Sequence, residues 1–484
     1  MTQPSGAQIN RKTFTQSIVI LLFFMLLAGV LTRLIPAGKY DRVEQDGVEM
    51  VIPGSFQYTE SPDYPVWRWF LAPIEALFGP NGLTILVIIL FLLMVGVAFA
   101  ILDRSGILQE LLARIVRVFK HRKYILLLVI SFFFMLIGAF FGIFEEVIPL
   151  VPLIVGLSYF LGWDVLVGLG MSILATNMGF SAAVTNPFTI GIAQEIAGLP
   201  LFSGFFFRIL IFLTIYIIFA VFLTLYARRV ERDRQAVPVE EVRQAGGAAP
   251  VPDHFSGDFI LENARFRKAA IWLGLCLSMI LLVLISGPLL PALSDFALPL
   301  VGLLFLAAGL GAGFIVMRDG KKVGRAAVQG LIGISPAIPL ILMAAGVQYI
   351  VYKGGILDTL LYQSANTISQ ANPYVAILLI YLLALLIEFF IPSGSAKAFL
   401  LMPILIPLAD LVGLTRQVTV TAFCFGDGFS NLAYPVNPVL LICLGLAAIG
   451  YSKWLKWTLK LWFWVILATI IFLWIGVAIQ FGPF

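Results

Sequence analysis

Charge is the scarcest property of this chain. Asp, Glu, Lys and Arg together make up 12% of its 484 residues, about half the share of a soluble domain. So little charge excludes a solvated globular surface. The net charge of +5 and the sequence pI near 9.0 do not indicate a nucleic-acid partner. The basic residues stand at the ends of apolar runs, where they set membrane topology. Histidine is nearly absent: His121 lies in a basic run and His254 in a polar linker, neither beside groups suited to metal ligation or nucleophilic catalysis. The three cysteines, Cys276, Cys424 and Cys443, sit inside apolar segments with no CxxC pair, as small buried hydrophobes do. No Walker-type loop occurs, which argues against ATP drive. An enzyme is therefore not expected, and neither is a cofactor.

Apolar runs are what the chain has instead. It is 61% hydrophobic with mean hydropathy +1.02, and its runs of about 20 residues are the length of membrane-spanning helices. A β-barrel would show short alternating strands. The expected class is an all-α polytopic membrane protein. The first run, from Ile18 to Leu31, has no small-residue cleavage site before Arg33 and reads as a retained anchor. Arg11 and Lys12 place residues 1–13 in the cytoplasm, and counting about nine full spans puts the C-terminus outside. Residues 37–65 read as a hairpin-like excursion on the outer side, and Trp67 to Leu77 as an interfacial stretch. Within the basic run from Arg104 to Lys123, ILQELLARIVRVF has the spacing of an amphipathic surface helix.

Two stretches break the apolar pattern. Met178 to Thr189 (MGFSAAVTNPFT) and Gly426 to Val439 (GDGFSNLAYPVNPV) carry Gly, Ser, Asn and Pro where a lipid-facing helix would carry Leu. Unwound backbone at membrane depth needs protein or a water-filled cavity to satisfy it. The two breaks are also related. Gly-Phe-Ser recurs at an offset of 249 (179 to 428) and Asn-Pro at 251 (186 to 437). SGIL at 105 pairs with GGIL at 354, and Pro152 and Gly162 pair with Pro403 and Gly413. The chain therefore reads as two repeats, 14–230 and 265–484, joined by a cytoplasmic linker at 231–264. Each repeat carries a re-entrant hairpin (124–163, 373–414) and a broken helix (165–201, 418–449). The first repeat enters its hairpin from the basic side and the second from the other side, so the repeats are inverted. Paired interruptions of this kind mark the binding site of a transporter.

The residues at these four elements suggest their chemistry. Asn186-Pro187 and Asn437-Pro438 combine a good helix N-cap with a first residue that needs no amide hydrogen. The half-helices they open would turn positive ends toward the midplane, where they favour an anionic group. Asn177, Ser181, Thr185 and Asn431 add polar atoms for a substrate, and Thr176, Gly179, Gly428 and Ser430 offer hard oxygens suited to Na⁺. Asp427, whose counterpart in the first repeat is Met178, reads as an ion-coupling residue, with H⁺ as the other candidate ion. Charges within spans are functional candidates. Glu145 and Glu146 occupy the first hairpin tip, and Ser393, Ser395 and Lys397 the second, while Glu388 and Glu195 lie in apolar flanks. A Glu–Lys pairing between the tips is one expectation. The other is that the carboxylates hold a substrate amine while Lys397 holds a carboxylate. Arg208, near the end of its span, reads as a snorkelling residue without a role.

The IPAGKYDR stretch after the first span, the GIFEE and PSGSAKA tips, and the TNMGFSAAVTNPFTIGIAQ and FGDGFSNLAYPVNP breaks resemble the C4-dicarboxylate anaerobic carrier family, in its YfcC-like branch, within the ion transporter superfamily. The resemblance covers nearly the whole chain. It implies a scaffold domain and a moving transport domain, an elevator mechanism, a homodimer and ion-driven carriage of a small carboxylate or amino acid across a bacterial inner membrane. Carriers of the wider superfamily have Ser-Asn-Thr tips, whereas this chain has Glu145-Glu146, and two acids repel a plain dianion. The expectation is therefore a secondary active transporter for a zwitterionic or cationic amino acid, or a related carboxylate bearing an amino group, with C4-dicarboxylate symport or exchange as the alternative. A channel is the third reading, because the polar residues gather at four points and do not form a continuous path.

Overall fold

The computed structural model describes residues 11–482 except 46–47, 109, 112–113, 115–118, 120–121, 236–263 and 287–295. Residues 1–10, most of the expected surface helix at 107–119 and most of the 231–264 linker lie outside the described residues. Among the described residues, 11 helical stretches are long and apolar enough to cross a membrane. That number includes three arms of the two hairpins, Lys123–Phe141, Pro373–Phe390 and Gly394–Leu411, and omits the second broken helix. Strand among the described residues is confined to two small ribbons between Gly38 and Tyr58.

Local chemistry sets the helix ends. Asp164, Asn372 and Thr415 each accept a hydrogen bond from a first-turn amide and start a helix. Gly142 and Gly355 end helices in the left-handed conformation that glycine adopts most easily. One basic stretch expected only as a marker is itself a helix. Gly320–Ile334, capped by Asp319, carries Lys321, Lys322 and Arg325 and stands apart from Ala337–Gly354.

The helices pack in two groups. One contains Arg11–Leu34, Gly82–Arg104, Ala264–Ser286, Ala297–Met317, Gly320–Ile334 and Ala337–Gly354. Small residues let these helices approach closely: Gly309 lies against Ala98, and Gly330 against the Gly96 carbonyl. The other group holds both hairpins, both broken helices and the long helices Phe205–Gln235 and Tyr451–Ala478. Its contacts are crossed. The first hairpin's tip and its Val151–Phe160 arm touch Pro438–Leu446, beyond the second break. The second hairpin's Gly394–Leu411 arm touches Pro187–Gly191 and Ile192–Ile196, beyond the first break.

Each hairpin returns to the end it started from. Tyr124 at the start of the first and Trp163 at its close have ring centroids 5.6 Å apart, and Tyr124 donates to Glu231 at 2.5 Å. In the second, Tyr374 at the start accepts from Trp474 (3.3 Å), while Thr415 just past the close donates to the Phe481 carbonyl (2.7 Å). Gln417 nearby reaches Ser203. The two mouths therefore lie at opposite ends of the Phe205–Gln235 helix, which at about 1.5 Å per residue is long enough to cross a bilayer.

The ribbons at 38–58 are fastened to the amphipathic helix Leu357–Ile368. One guanidinium nitrogen of Arg42, Nη2, donates to both Asp358 oxygens (2.8 and 2.9 Å), and Asp358 also accepts from the Tyr40 amide (2.9 Å). Phe56 stacks on Tyr362 with centroids 4.2 Å apart. Burial first, then the Asp358 carboxylate, push the Tyr40 phenol up to about 12. Asp358→Ala leaves Arg42 and the Tyr40 amide without their partner, and we expect it to cost about 2 kcal/mol. The check is a lower melting temperature together with faster proteolysis within 37–65.

Candidate functional site

The first broken helix runs Val165–Leu169, passes through a π turn at Gly170–Leu174, and continues as Ala175–Ala182. It stops where Ala183 takes a left-handed backbone (φ 42°). The unwound chain finds its partners on the first hairpin. The Val184 and Thr185 amides donate to the Ala139 carbonyl (2.9 and 3.1 Å), and the Thr185 hydroxyl donates to the Phe140 carbonyl (2.9 Å). Asn186 Oδ1 then caps the Phe188 amide at 2.9 Å and Pro187 opens the next helical segment. The break is thus satisfied by protein, as membrane depth demands.

The second break repeats this plan. Arg416–Phe429 ends at Ser430, whose hydroxyl donates back to the Gly426 carbonyl (2.8 Å). Asn437 Oδ1 caps the Val439 and Leu440 amides (2.9 and 3.4 Å), while its Nδ2 donates to Asn431 Oδ1 (3.1 Å). Tyr451 and Trp454, on the last long helix, hold the loop by donating to the Ala433 and Leu432 carbonyls (2.6 and 2.8 Å). Asn437→Ala removes two amide partners and one side-chain bond, and we expect a loss of about 1–2 kcal/mol, read as a lower melting temperature.

The two first halves meet. A β-carbon on Gly428 would lie 2.5 Å from Ser181 Cα, so the repeated Gly-Phe-Ser triplets are in contact. The Thr176 and Ser181 hydroxyls are bonded to carbonyls of their own helix, Ser172 (3.0 Å) and Asn177 (2.6 Å), and keep lone pairs free to accept. Asn177 is wholly buried with neither side-chain atom partnered, which in a native core calls for a bound water, ion or ligand. Gly179 has a steric role: its Cα packs against the Met135 carbonyl of the first hairpin.

The two tips differ in charge. At the first, Gly142 abuts Asn186, and Phe144 packs on Phe180 with centroids 5.5 Å apart. Glu145 and Glu146 open a six-residue 3₁₀ segment and are half-buried. Glu146 accepts from the Phe144 amide (3.2 Å), and among the described residues neither glutamate has a basic partner. At the second, Ser393 caps the Ala396 amide and lies 3.4 Å from Ser395, both oxygens remaining accessible. Lys397 is wholly buried. Its Nζ lies 2.6 Å from Asp427 Oδ1 and in contact with Glu388 Oε2. One expectation is corrected here. Lys397 pairs with Asp427 and Glu388, not with Glu145 or Glu146, because Glu388 faces it across the hairpin turn. Glu388, in the apolar arm Pro373–Phe390, is thereby an ion-pair partner.

Arg208 is a further correction. It does not snorkel: it is buried, its guanidinium donates to Thr421 (3.3 Å), and its Nε is unpartnered. The signal lay on the facing helix, where Gln417, Thr421, Cys424 and Gly428 recur at helical spacing as a small, partly polar stripe. Gln417 also accepts from Gln194 (3.2 Å), on the neighbouring Ile192–Ile196 segment.

Residues 14–478 match the DcuC family, described as C4-dicarboxylate anaerobic carrier. YfcC of Escherichia coli (strain K12), which carries the provisional name of a basic amino acid antiporter, is 31% identical over 487 residues, covering 92% of this chain and 93% of its own. An uncharacterized protein of Haemophilus influenzae is 24% identical, covering 94% of this chain and 96% of its own. The solved YdaH transporter of Alcanivorax borkumensis aligns over 97% of this chain and 100% of its own at 21% identity, with TM-score 0.44. The family match spans nearly the whole chain, and so the protein belongs to the DcuC family and is a multi-pass membrane transporter, not an enzyme.

Proposed function

We propose that this protein is a secondary active transporter, driven by a Na⁺ or H⁺ gradient, that carries a basic amino acid by alternating access. The observation that supports this most is the imbalance between the tips. Glu145 and Glu146 have no basic partner among the described residues, whereas Lys397 is enclosed by two carboxylates. A half-buried acidic pair without a counter-charge favours a cation. In this reading the cargo's ammonium or guanidinium group lies at the first tip, and its carboxylate is met by the amide ends of the half-helices after Asn186 and Asn437. Asn177, Ser181 and Asn431 line the space between, and Ser393, Ser395 and Thr185 border it. Thr176, Gly428 and Ser430 belong to the ion path. The provisional name of the E. coli relative agrees with the charge argument.

The architecture is read as inverted: two re-entrant hairpins opening on opposite faces of a bacterial inner membrane, with the N-terminus inside and the C-terminus outside. The helix group containing both hairpins and both breaks is the moving body of an elevator, and the other group is its scaffold and homodimer surface. C4-dicarboxylate exchange is the second reading. It is favoured by the family description and by the buried Arg208, and opposed by the two glutamates.

A thermal-shift screen of purified protein against lysine, arginine, ornithine, aspartate and succinate, with Na⁺ and pH varied, tests the choice. Binding to the folded state alone raises stability. Basic amino acids should raise the melting temperature and succinate should not. The reverse pattern would establish the dicarboxylate reading.

A further inference from the structure

Lys397 lies where the second break would otherwise have to be given a cation. Three separate elements converge on it: Glu388 from one arm of the second hairpin, Lys397 from the other, and Asp427 from the last turn of Arg416–Phe429. All three side chains are wholly or almost wholly buried. The C-terminal end of a half-helix concentrates unpaired carbonyls and the negative end of the dipole. Asp427 adds a full charge there and Glu388 a second. Gly394 closes the cradle from the hairpin tip, since a β-carbon on it would lie 3.1 and 3.2 Å from the Asp427 oxygens.

Two carboxylates in such a place cannot stay ionised without a counter-charge. Lys397 engages both at close range: Nζ is in contact with Glu388 Oε2 and 2.6 Å from Asp427 Oδ1, so each carboxylate is spent on the ammonium. Among the described residues the first repeat has no such arrangement, with Met178 in the place that Asp427 takes in the second and an acidic pair without a basic partner at its tip.

We propose that Lys397 is a tethered cation: its ammonium occupies, between Glu388 and Asp427, the position of an alkali cation at the second break, so that Na⁺ does not bind there. This rests on the transporter reading above. A tethered charge moves with the carrier but cannot dissociate, so the Glu388–Asp427 cradle contributes no ion to coupling, which is left to the oxygens of Thr176, Gly428 and Ser430.

The test is the melting temperature of detergent-purified protein as NaCl replaces N-methyl-D-glucamine chloride at constant ionic strength. It is read as the increment over the E388Q/K397M/D427N triple variant, which cancels Na⁺ bound elsewhere. The wild-type increment should be below about 1 °C, whereas Lys397→Met should gain about 3 °C or more as Na⁺ enters the vacated cradle. Methylammonium should do the same for that variant. If Lys397→Met is not recovered folded, K397M/E388Q, which leaves one carboxylate, carries the same expectation. A wild-type increment of several degrees would place Na⁺ beside Lys397 and overturn the proposal. So would a folded Lys397→Met or K397M/E388Q protein indifferent to both cations. Failure of the transport reading is a separate result: no amino acid would shift the melting temperature, while these Na⁺ increments would stand.

Discussion

Glu145→Gln and Glu146→Gln should each weaken binding of lysine or arginine by roughly 10–100-fold, and the double variant should bind neither measurably. The magnitude follows from the worth of a hydrogen bond to a charged group, about 1.5–3 kcal/mol, with each 1.4 kcal/mol equal to about tenfold in affinity. Neither glutamate is committed to a protein cation among the described residues, and only Glu146 accepts a backbone amide. Neutralising them therefore breaks no ion pair that holds the fold. The loss should be selective: a neutral isostere such as norleucine, which places no charge at the tip, should be little affected. Calorimetric titration of the purified variants reads this directly. Unchanged affinity for basic amino acids in the double variant would remove the first tip from the site.

Gly179→Leu should prevent recovery of folded protein, and Gly179→Ala should cost about 3 kcal/mol, the upper end of ordinary overpacking. Gly179 lies on the first broken helix where its backbone meets the Met135 carbonyl of the hairpin, and Gly138 on that hairpin packs in turn against the Thr176 carbonyl. Both neighbours are backbone, so no rotamer change makes room. The consequence extends to the site, because the same hairpin supplies the Ala139 and Phe140 carbonyls that hold the unwound chain at Val184 and Thr185. Gly274 is the control. Nothing lies near its missing β-carbon, so Gly274→Ala should stay within about 0.5 kcal/mol of wild type. Size-exclusion profiles and melting temperatures of the four proteins check the set.

Asn-Pro gave away both breaks in the sequence, because a cap followed by a residue without an amide hydrogen has few uses in the middle of an apolar run. The repeated Gly-Phe-Ser likewise announced two related elements, and the structure places those triplets in contact. The partners of Lys397 were harder to read. Glu388 and Lys397 stand at similar distances on either side of the turn at Ile391–Ser393, which folds them face to face, but Asp427 reaches them only through the packing of a third element. Arg208 was misread for a similar reason. Position along a helix suggests snorkelling, while the polar stripe that buries it belongs to a helix more than 200 residues later. Gly320–Ile334 was missed because its lysines and arginine look the same in sequence whether they mark a membrane edge or line one face of a helix.

Counterflow in proteoliposomes is the most direct test of a carrier built from two meeting breaks. Vesicles loaded with unlabelled lysine and diluted into trace labelled lysine should accumulate label transiently above the external level, with saturable kinetics. Vesicles without internal lysine should not, and Asn186→Ala should lose the overshoot while still inserting. A steady leak that neither saturates nor responds to internal lysine would contradict alternating access and favour a pore.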